Sequence, residues 1–538
     1  MSGQLTQVRF YHQQTKHFPE RYARSLGYME WSSQPCPFRR YPGSDQLLLC
    51  HDIQADGPLY DELFQSQLQR QSLDQRQIAA LLRDSLALSA WKQLPGGPAW
   101  TLRVNPSSGN LHPSEAYLLL PSDCVGKQDA AVYHYATYEH ALEYRRGISE
   151  TLWQQLTSGL PADSFLIGLT SIFWRESWKY GERAYRYCQH DIGHALAALA
   201  FAAATQGRQI HLLADVDRAA LSSLIAIDGQ TGPEAEHADC LLAVTPADAV
   251  VTKPAVTLDR ACVNGAAVFG ETNRLSPYHH DWPIIDAVAN SSTRCGPHSD
   301  AYCPISPRPH QQPRRTCGAR QIIHQRRSAV AFDPTDRLSK QAFFHMLRRL
   351  MPEQIPFLGS LLPWDPCVAM VLFVHRVADL DPGAYLLPRT STQRDAWDTL
   401  LGNDGIWLNE DPSIRLLQND DLRDTTRTLS CNQDIAADGA FSLAMFVDFD
   451  RMLAEQGAEG YAQMYWECGA LGQLLYLEAE AAGVRGTGIG CFCDDETAKY
   501  LGLQDDSWQD LYHFTVGTPV EDCRLRTADP YIHLQRDC

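Results

Sequence analysis

The stretch NPSSGNLHP, Asn105–Pro113, gathers a proline, two hydroxyls, a glycine and an asparagine into a few residues. Small hydroxyls and a flexible glycine let backbone N–H groups come close to a flat ligand or a phosphate. The segment HQRRSAVAFD, His324–Asp333, sets Arg326, Arg327 and Ser328 side by side, and paired guanidiniums with a hydroxyl suit a phosphate. Farther on, GVRGTGIGCFCDD carries Gly486, Gly488 and Gly490 in alternation, which again admits close backbone approach, although a glycine run alone is a weak signal. Finally, SWKYGERAY puts Lys179 beside Tyr180. The amine can act as a base only where burial or nearby cations leave it partly neutral, and the phenol can orient it or relay a proton. Each stretch also has a plainer reading: an ordinary turn, a solvated basic patch, a loop, and a helix start followed by a core aromatic.

The elements that must position these groups fall into two sets. YRYCQHDIGHALAALAFAAATQG (Tyr185 to Gly207) and YAQMYWECGALGQLLYLEAEAAG (Tyr461 to Gly483) are long, largely apolar and stopped by glycine, as buried helices are. One offset of 276 residues carries Tyr185 onto Tyr461, Gly193 onto Gly469, Leu199 onto Leu475 and Gly207 onto Gly483. A second helical pair begins at Leu73 and Leu338, with Asp74 and Ser339 as probable caps, and Ile78, Leu81 and Leu82 match Phe343, Met346 and Leu347. YLLLP from Tyr117 and VLFVH from Val371 read as one strand in each half. The repeated order indicates a duplication. Between the halves, residues 289 to 320 are rich in Pro, Ser, His and Arg without apolar periodicity, the composition of a linker. The expected organisation is an N-terminal domain over 1–288, a linker over 289–317 and a C-terminal domain over 318–538.

At 538 residues the chain exceeds one ordinary core. With 44% hydrophobic and 10% aromatic residues, each half can bury a core of its own. A net charge of −18 disfavours nucleic acid or an anionic membrane as the main partner. The first residues contain no apolar run of signal-peptide type, and no stretch reaches the ~18 apolar residues of a membrane span. The expectation is a soluble, cytoplasmic protein. Its 16 cysteines read as reduced, mostly buried thiols. The tightest groups are Cys491 with Cys493, and Cys295, Cys303 and Cys317 near His298 and His310; neither has the paired spacing of a zinc site. His190 and His194 stand four apart on a helix, but without an accompanying Glu they read as structural, and no metal is expected.

Taken together, the order Arg-x-Ser, Pro-Ser-Ser-x-Asn, long apolar helix and Gly-rich turn resembles the nitroreductase family of FMN-dependent oxidoreductases. Within it, TKH, QPCPFRRY, SSGNLHPSEAYLLLP, WKYGERAYRYCQHDIGHALAAL, CNQDIAADGAFSLAMF and GTGIGCFCDD look like the SagB/ThcOx-type dehydrogenases. The resemblance implies an α+β fold, here as two tandem nitroreductase-like domains forming a pseudo-dimer within one chain, with FMN between them. The family's loop maps onto Pro106, Ser107, Ser108 and Asn110 of the first half. Its Arg-x-Ser element maps onto Arg326 and Ser328, with Arg327 between, and its Gly-rich turn onto Gly486, Thr487, Gly488, Ile489 and Gly490 of the second. Arg524 is the implied further phosphate ligand, a surface arginine being the plainer reading. Each half lacks what the other keeps: YDELFQ, IHLLADV and FLGSLLPWDP stand where the second site's elements would fall. One complete site and one decayed site are implied.

Lys179 and Tyr180 match an adjacent Lys-Tyr pair implicated in catalysis by the family's azoline dehydrogenases. The implied function is FMN-dependent oxidation of an azoline or related substrate, a small molecule or modified peptide, by a monomer acting as a pseudo-dimer. The alternatives are an NAD(P)H-dependent nitro or quinone reductase, and a flavin-free pseudoenzyme that docks a biosynthetic partner. One departure stands out: the family often has a cation two positions after the serine, where this chain has Val330. His112 either faces the flavin or fixes its loop. Trp174, Trp178, Tyr185 and Tyr187 read as core aromatics before channel residues.

Overall fold

The computed structural model describes the chain except residues 1, 53–56, 65–69, 214–215, 250, 252–265, 294–315, 356, 403–404, 410, 412 and 535–538. Strands in the first part are β1 (Gln46–Leu48), β2 (Leu88–Gln93), β3 (Ala99–Arg103), β4 (Ser114–Leu120), β5 (Ala131–Ala136), β6 (Ala141–Gly147), β7 (Phe165–Ser171), β8 (Arg208–Leu212) and β9 (His237–Pro246). The second part holds β10 (Val368–Val374), β11 (Gly383–Leu387), β12 (Ile406–Trp407), β13 (Arg415–Asn419), β14 (Phe441–Asp448), β15 (Arg485–Ile489), β16 (Trp508–Gly517) and β17 (Arg526–Ala528). They build two seven-stranded sheets, ordered β1-β6-β5-β4-β7-β9-β8 and β12-β13-β11-β10-β14-β16-β15. Apart from the edge strands β1 and β12, the two orders are the same path through the chain. The strands read from Tyr117 and Val371 are the equivalent β4 and β10.

Side chains alternate across a strand, and both faces of these strands are covered. In β4, Leu118 and Leu120 join a core that runs through both halves, while Tyr117 and Leu119 join a cluster confined to the first. In β10, Met370 and Leu372 face the shared core and Val371 and Phe373 a cluster of the second half. The shared core is built around the two long helices, Ala184–Ala204 and Gly460–Ala481, which are buried on every side up to the last residue of the second; charged residues on them are paired in the interior, as Arg186 with Asp494 and Glu467 with Arg389. Gly207 and Gly483, just past them, take φ values of 65° and 77°, the left-handed stop expected of a glycine. The shorter helices Gln75–Arg83 and Lys340–Arg349 carry the expected caps, Asp74 accepting from Gln77 N and Ser339 from Ala342 N.

The two long helices cross at the glycines that the 276-residue offset superposes. A Cβ on Gly469 would lie 2.2 Å from His190 O and 2.9 Å from Gly193 Cα, and one on Gly193 2.4 Å from Trp466 O. Tyr185 and Tyr461, related by the same offset, stack with ring planes 2° apart. Residues related by the offset thus touch one another where the helices cross. Gly469→Ala should therefore force the helices apart. Overpacking costs up to about 3 kcal/mol, of which alanine's better helix propensity offsets about 1, and denaturant titration should register the loss.

Both termini cross the divide. The helix Ser2–Gln14 lays His12 against Phe449 and Tyr461, and Lys16 pairs with Asp495 at 2.6 Å. In return β17 adds to β2 and β3 as a three-stranded sheet. The expected linker is corrected at its start, since the helix Pro283–Ser291 continues past residue 289. Its helix N-terminus takes a proline, and Ile285, Val288 and Ala289 are buried, so local packing overrides the drift in composition. Residues 294–315, with Cys295, Cys303, His298 and His310, lie outside the described residues. Cys317 is described, and its carbonyl accepts from Tyr60 N. Among the described residues, no helix is long and apolar enough to cross a membrane.

Candidate active site

The Asn105–Pro113 loop holds itself in shape. Ser107 Oγ accepts from His112 N at 2.8 Å, and the Asn110 amide donates to Thr101 O and meets His112 Nε2 through Oδ1 at 2.9 Å. Gly109, Asn110 and His112 all have positive φ. At Gly109 the glycine is needed twice over, because a Cβ there would lie 2.7 Å from Tyr180 Oη and 3.2 Å from Lys179 Nζ. From the first long helix, Asp191 accepts from Ser108 N at 3.1 Å and from Ser108 Oγ at 3.3 Å.

The second half brings its elements to the same place. Arg326 is buried and donates to Arg103 O and Val104 O, immediately before the loop, with its guanidinium over the Tyr476 ring. Arg327 donates to the carbonyls of His324, Arg326 and Ser89. Tyr476, on the second long helix, joins Ser328 Oγ at 2.9 Å and accepts from Gly488 N at 2.9 Å. The expected Gly-rich turn is corrected to a strand, β15, the edge of its sheet. Its glycines, and Gly490 just past its end, are demanded from behind: a Cβ would lie 2.6 Å from Phe514 at Gly486, 1.9 Å from Tyr512 Oη at Gly488 and 2.3 Å from Tyr187 at Gly490. Aromatics fill the space that side chains on this strand would need.

These pieces enclose a cavity of about 500 Å³, within the range of small-molecule sites. Pro106, Ser107, Ser108, Asn110, Arg326, Arg327, Ser328, Thr487, Gly488, Ile489, Gly490 and Tyr180 all line it. Three expected site residues do not. Gly486 sits behind the wall, and Arg524 is exposed and forms a fork with Asp522 at 2.9 and 2.8 Å. That local pair competes for the guanidinium that the resemblance gave to a phosphate. Lys179 is exposed at the last turn of the helix Phe173–Tyr180, its Nζ 5.0 Å from the Tyr180 ring centre, so of the two conditions for a partly neutral amine, burial or nearby cations, burial is not met. Val330 is 86% exposed on the rim; Lys92 and Arg485 are further cations on the wall. His112 both fixes its loop and lines the cavity, and Tyr187 is a wall residue as well as a buried aromatic. Trp174, Trp178 and Tyr185 are core. Both His190 and His194 are buried among aromatic rings, and among the described residues no His, Cys, Asp or Glu group is arranged to hold a metal ion.

Sequence reasoning missed the acids behind the loop. The signal was Asp191, an acid within a long, largely apolar helix, since charges are seldom buried without a partner or a task. Burial first, then the Asp191 charge, pushes the Glu176 carboxyl well above the usual range, and burial pushes Asp191 up to about 7 against hydrogen bonds from Ser107 and Ser108. The folded chain thus holds a proton that the unfolded chain releases. Its stabilisation is present below the ordinary Asp range and is lost as pH rises through about 7. Asp191→Asn keeps an oxygen for Ser108 N. It should flatten the fall in unfolding free energy over this window by on the order of 1–4 kcal/mol, as urea titrations across pH would register.

The place that the 276-residue offset and the matching sheet orders relate to this cavity is filled. Phe357, beside the helix Leu358–Leu361, packs on Phe64 and Phe201, and Tyr60 stacks on Phe201. Ser360 Oγ donates to Ile210 O on β8 at 2.8 Å. These are the segments that read YDELFQ, FLGSLLPWDP and IHLLADV. Where Tyr476 supplies a hydroxyl in the open site, the same offset gives Ala200.

A flavin mononucleotide fits the residues of the open cavity. Guanidiniums and hydroxyls suit its phosphate, and three buried polar atoms beside the cavity, Arg103 Nε, Asn105 Oδ1 and His112 Nδ1, have no hydrogen-bond partner among the described residues.

The nitroreductase family model matches residues 403–518 of this chain, a span that holds β12 to β16 and the second long helix. A candidate nitroreductase from Anabaena variabilis has the same fold, with a TM-score of 0.69 at 21% identity over 96% of this chain and 99% of that one. The E. coli microcin synthetase McbBCD complex with truncated pro-MccB17 bound aligns at 20% identity over 46% of this chain and 93% of that one, with a TM-score of 0.26. A candidate nitroreductase in complex with FMN from Exiguobacterium sibiricum aligns at 14% identity over 37% and 88%, with a TM-score of 0.23. The last two scores are too low to bear on the arrangement. No curated protein matches the chain.

Proposed function

We propose that this chain is an FMN-dependent oxidoreductase built as a pseudo-dimer of two tandem domains, and that it oxidises an azoline or related substrate. The observation that supports this reading is the complementarity of the halves. The 106–110 loop of one and the Arg326–Ser328 and Gly488–Gly490 segments of the other line one cavity, while the equivalent place is packed with aromatics. In this reading Arg326, Arg327 and Ser328 hold the phosphate, and the two backbone segments face the ring system.

A bound flavin would supply a two-electron, hydride-accepting centre. Turning an azoline into an azole also removes a proton from carbon, so the chain must provide a base. Tyr180, on the cavity wall, is positioned to touch the substrate, and Lys179 stands beside it at the loop. Asp191 and Glu176 keep the loop anchored from behind. The exposure of Lys179 favours a second reading, an NAD(P)H-dependent nitro or quinone reductase, which needs no such base.

Flavin released on denaturation should equal one FMN per chain. A value near two would overturn the single-site reading, and a colourless protein that fails to take up added FMN would overturn the flavoenzyme reading. Fast anaerobic bleaching by NADPH, with none by an azoline, would select the reductase.

A further inference from the structure

Three thiols meet beside the cavity, outside the machinery described above. The segment that carries Cys431 lies against the one that carries Cys491 and Cys493. Two bonds lace their segments together: Cys493 N donates to Leu429 O at 2.8 Å, and Gln433 Nε2 to Cys491 O at 2.8 Å. Cys431 and Asn432 take φ values of 53° and 60°, a conformation that non-glycine residues adopt only when their surroundings hold them there. Cys491 follows the glycine strand directly and lines the cavity, half-buried, whereas Cys493 is buried.

The surroundings of Cys491 favour a thiolate. His17 accepts from Ala23 N through Nδ1 at 2.9 Å, so its proton sits on Nε2, and it is held beside the Cys491–Cys493 segment, its N donating to Asp494 Oδ2 at 2.8 Å and its O accepting from Asp494 N at 3.1 Å. Arg183, fixed by Thr15 O at 2.7 Å and Asp494 at 2.8 Å, donates to Gly490 O next door. Against burial, the neighbouring Cys431 thiol first, then the His17 Nε2–H and the Arg183 charge, bring the Cys491 thiol down to about 5. A partly accessible thiolate in a cationic niche, with a second thiol in contact, is the arrangement of a reactive rather than a structural cysteine.

We propose that Cys491 is a peroxide-reactive nucleophile on the cavity wall and that Cys431 is its resolving thiol. The Cys491 sulfur attacks one oxygen of hydrogen peroxide. An S–O bond forms, the O–O bond breaks, and the departing hydroxide takes up a proton and leaves as water. The Cys431 sulfur, giving up its proton, then attacks the sulfenic sulfur; the S–S bond forms, the S–O bond breaks and a second water leaves. Two thiols lose two electrons, and one peroxide becomes two waters. The two laced segments need to bring the sulfurs together to a bond of about 2.05 Å. Nothing in this step requires the flavin.

The test is limited oxidation of the full chain with substoichiometric hydrogen peroxide, followed by alkylation under denaturing conditions and peptide mass mapping. The Cys431–Cys491 disulfide should form at least about 10-fold faster than the exposed Cys523 is oxidised, because thiolate fraction outweighs the lower nucleophilicity of an acidic thiol. In Cys431→Ser, the sulfenic acid at Cys491 should persist and be trapped by dimedone. Oxidation of Cys491 no faster than that of Cys523, or a first disulfide joining Cys491 to Cys493, would overturn the assignment.

Discussion

Lys179→Ala should leave FMN bound and slow anaerobic, azoline-driven flavin reduction by ~100- to 10,000-fold, the usual contribution of a positioned acid–base group. The cofactor is expected to stay because the lysine lies outside the cavity wall, near Gly109 but away from Arg326 and Ser328. Tyr180→Phe should cost less if its hydroxyl orients the lysine, and the double variant should be little worse than Lys179→Ala, since groups that act as a unit are non-additive. Reduction by NADPH in the same variants is the internal control and should be unchanged. Normal azoline-driven reduction in Lys179→Ala would remove the lysine from the chemistry and leave the reductase reading, which its exposure already favours.

Arg326→Ala should raise the FMN dissociation constant by ~10- to 150-fold, corresponding to the about 1.5–3 kcal/mol of a charge-assisted hydrogen bond. The side chain has a second task, because it also donates to Arg103 O and Val104 O across the two halves. Unfolding should therefore be followed beside binding. Arg326→Lys keeps the charge but loses the planar fork, so it should recover only part of the affinity. An unchanged dissociation constant in a folded Arg326→Ala protein would take the residue out of the site.

Features that depend on nearby residues could be read from the chain alone. Asp74 and Ser339 announced their helices because a cap and the N–H it accepts from lie three residues apart. Gly207 and Gly483 announced their ends because a left-handed turn excludes most other residues. The shared offset between the halves needed only a comparison of the sequence with itself, and it foretold which glycines stand in equivalent places. The cavity's main wall was also legible, because Pro106–Asn110, Arg326–Ser328 and Gly488–Gly490 are short motifs whose composition suits one ligand.

What required the tertiary structure is the set of facts that depend on distant partners. Gly193 and Gly469 do more than correspond: they touch, and the backbone of each helix occupies the space where the other's Cβ would stand. The run Gly486–Gly490 looked like a ligand-binding turn, yet Gly486 and Gly488 are in a strand and the side-chain space of the three glycines is taken by Phe514, Tyr512 and Tyr187. Exposure decided against burial of Lys179, and a neighbour two residues away claimed Arg524. Glu176 and Asp191 acquired their shifted proton affinities only when burial placed both behind one loop. The sequence by itself determined the local conformations and the kinds of chemistry available. Which side chains share a low-dielectric space, and which are left in water, follows from contacts between residues far apart in the chain, and only the folded structure fixes those.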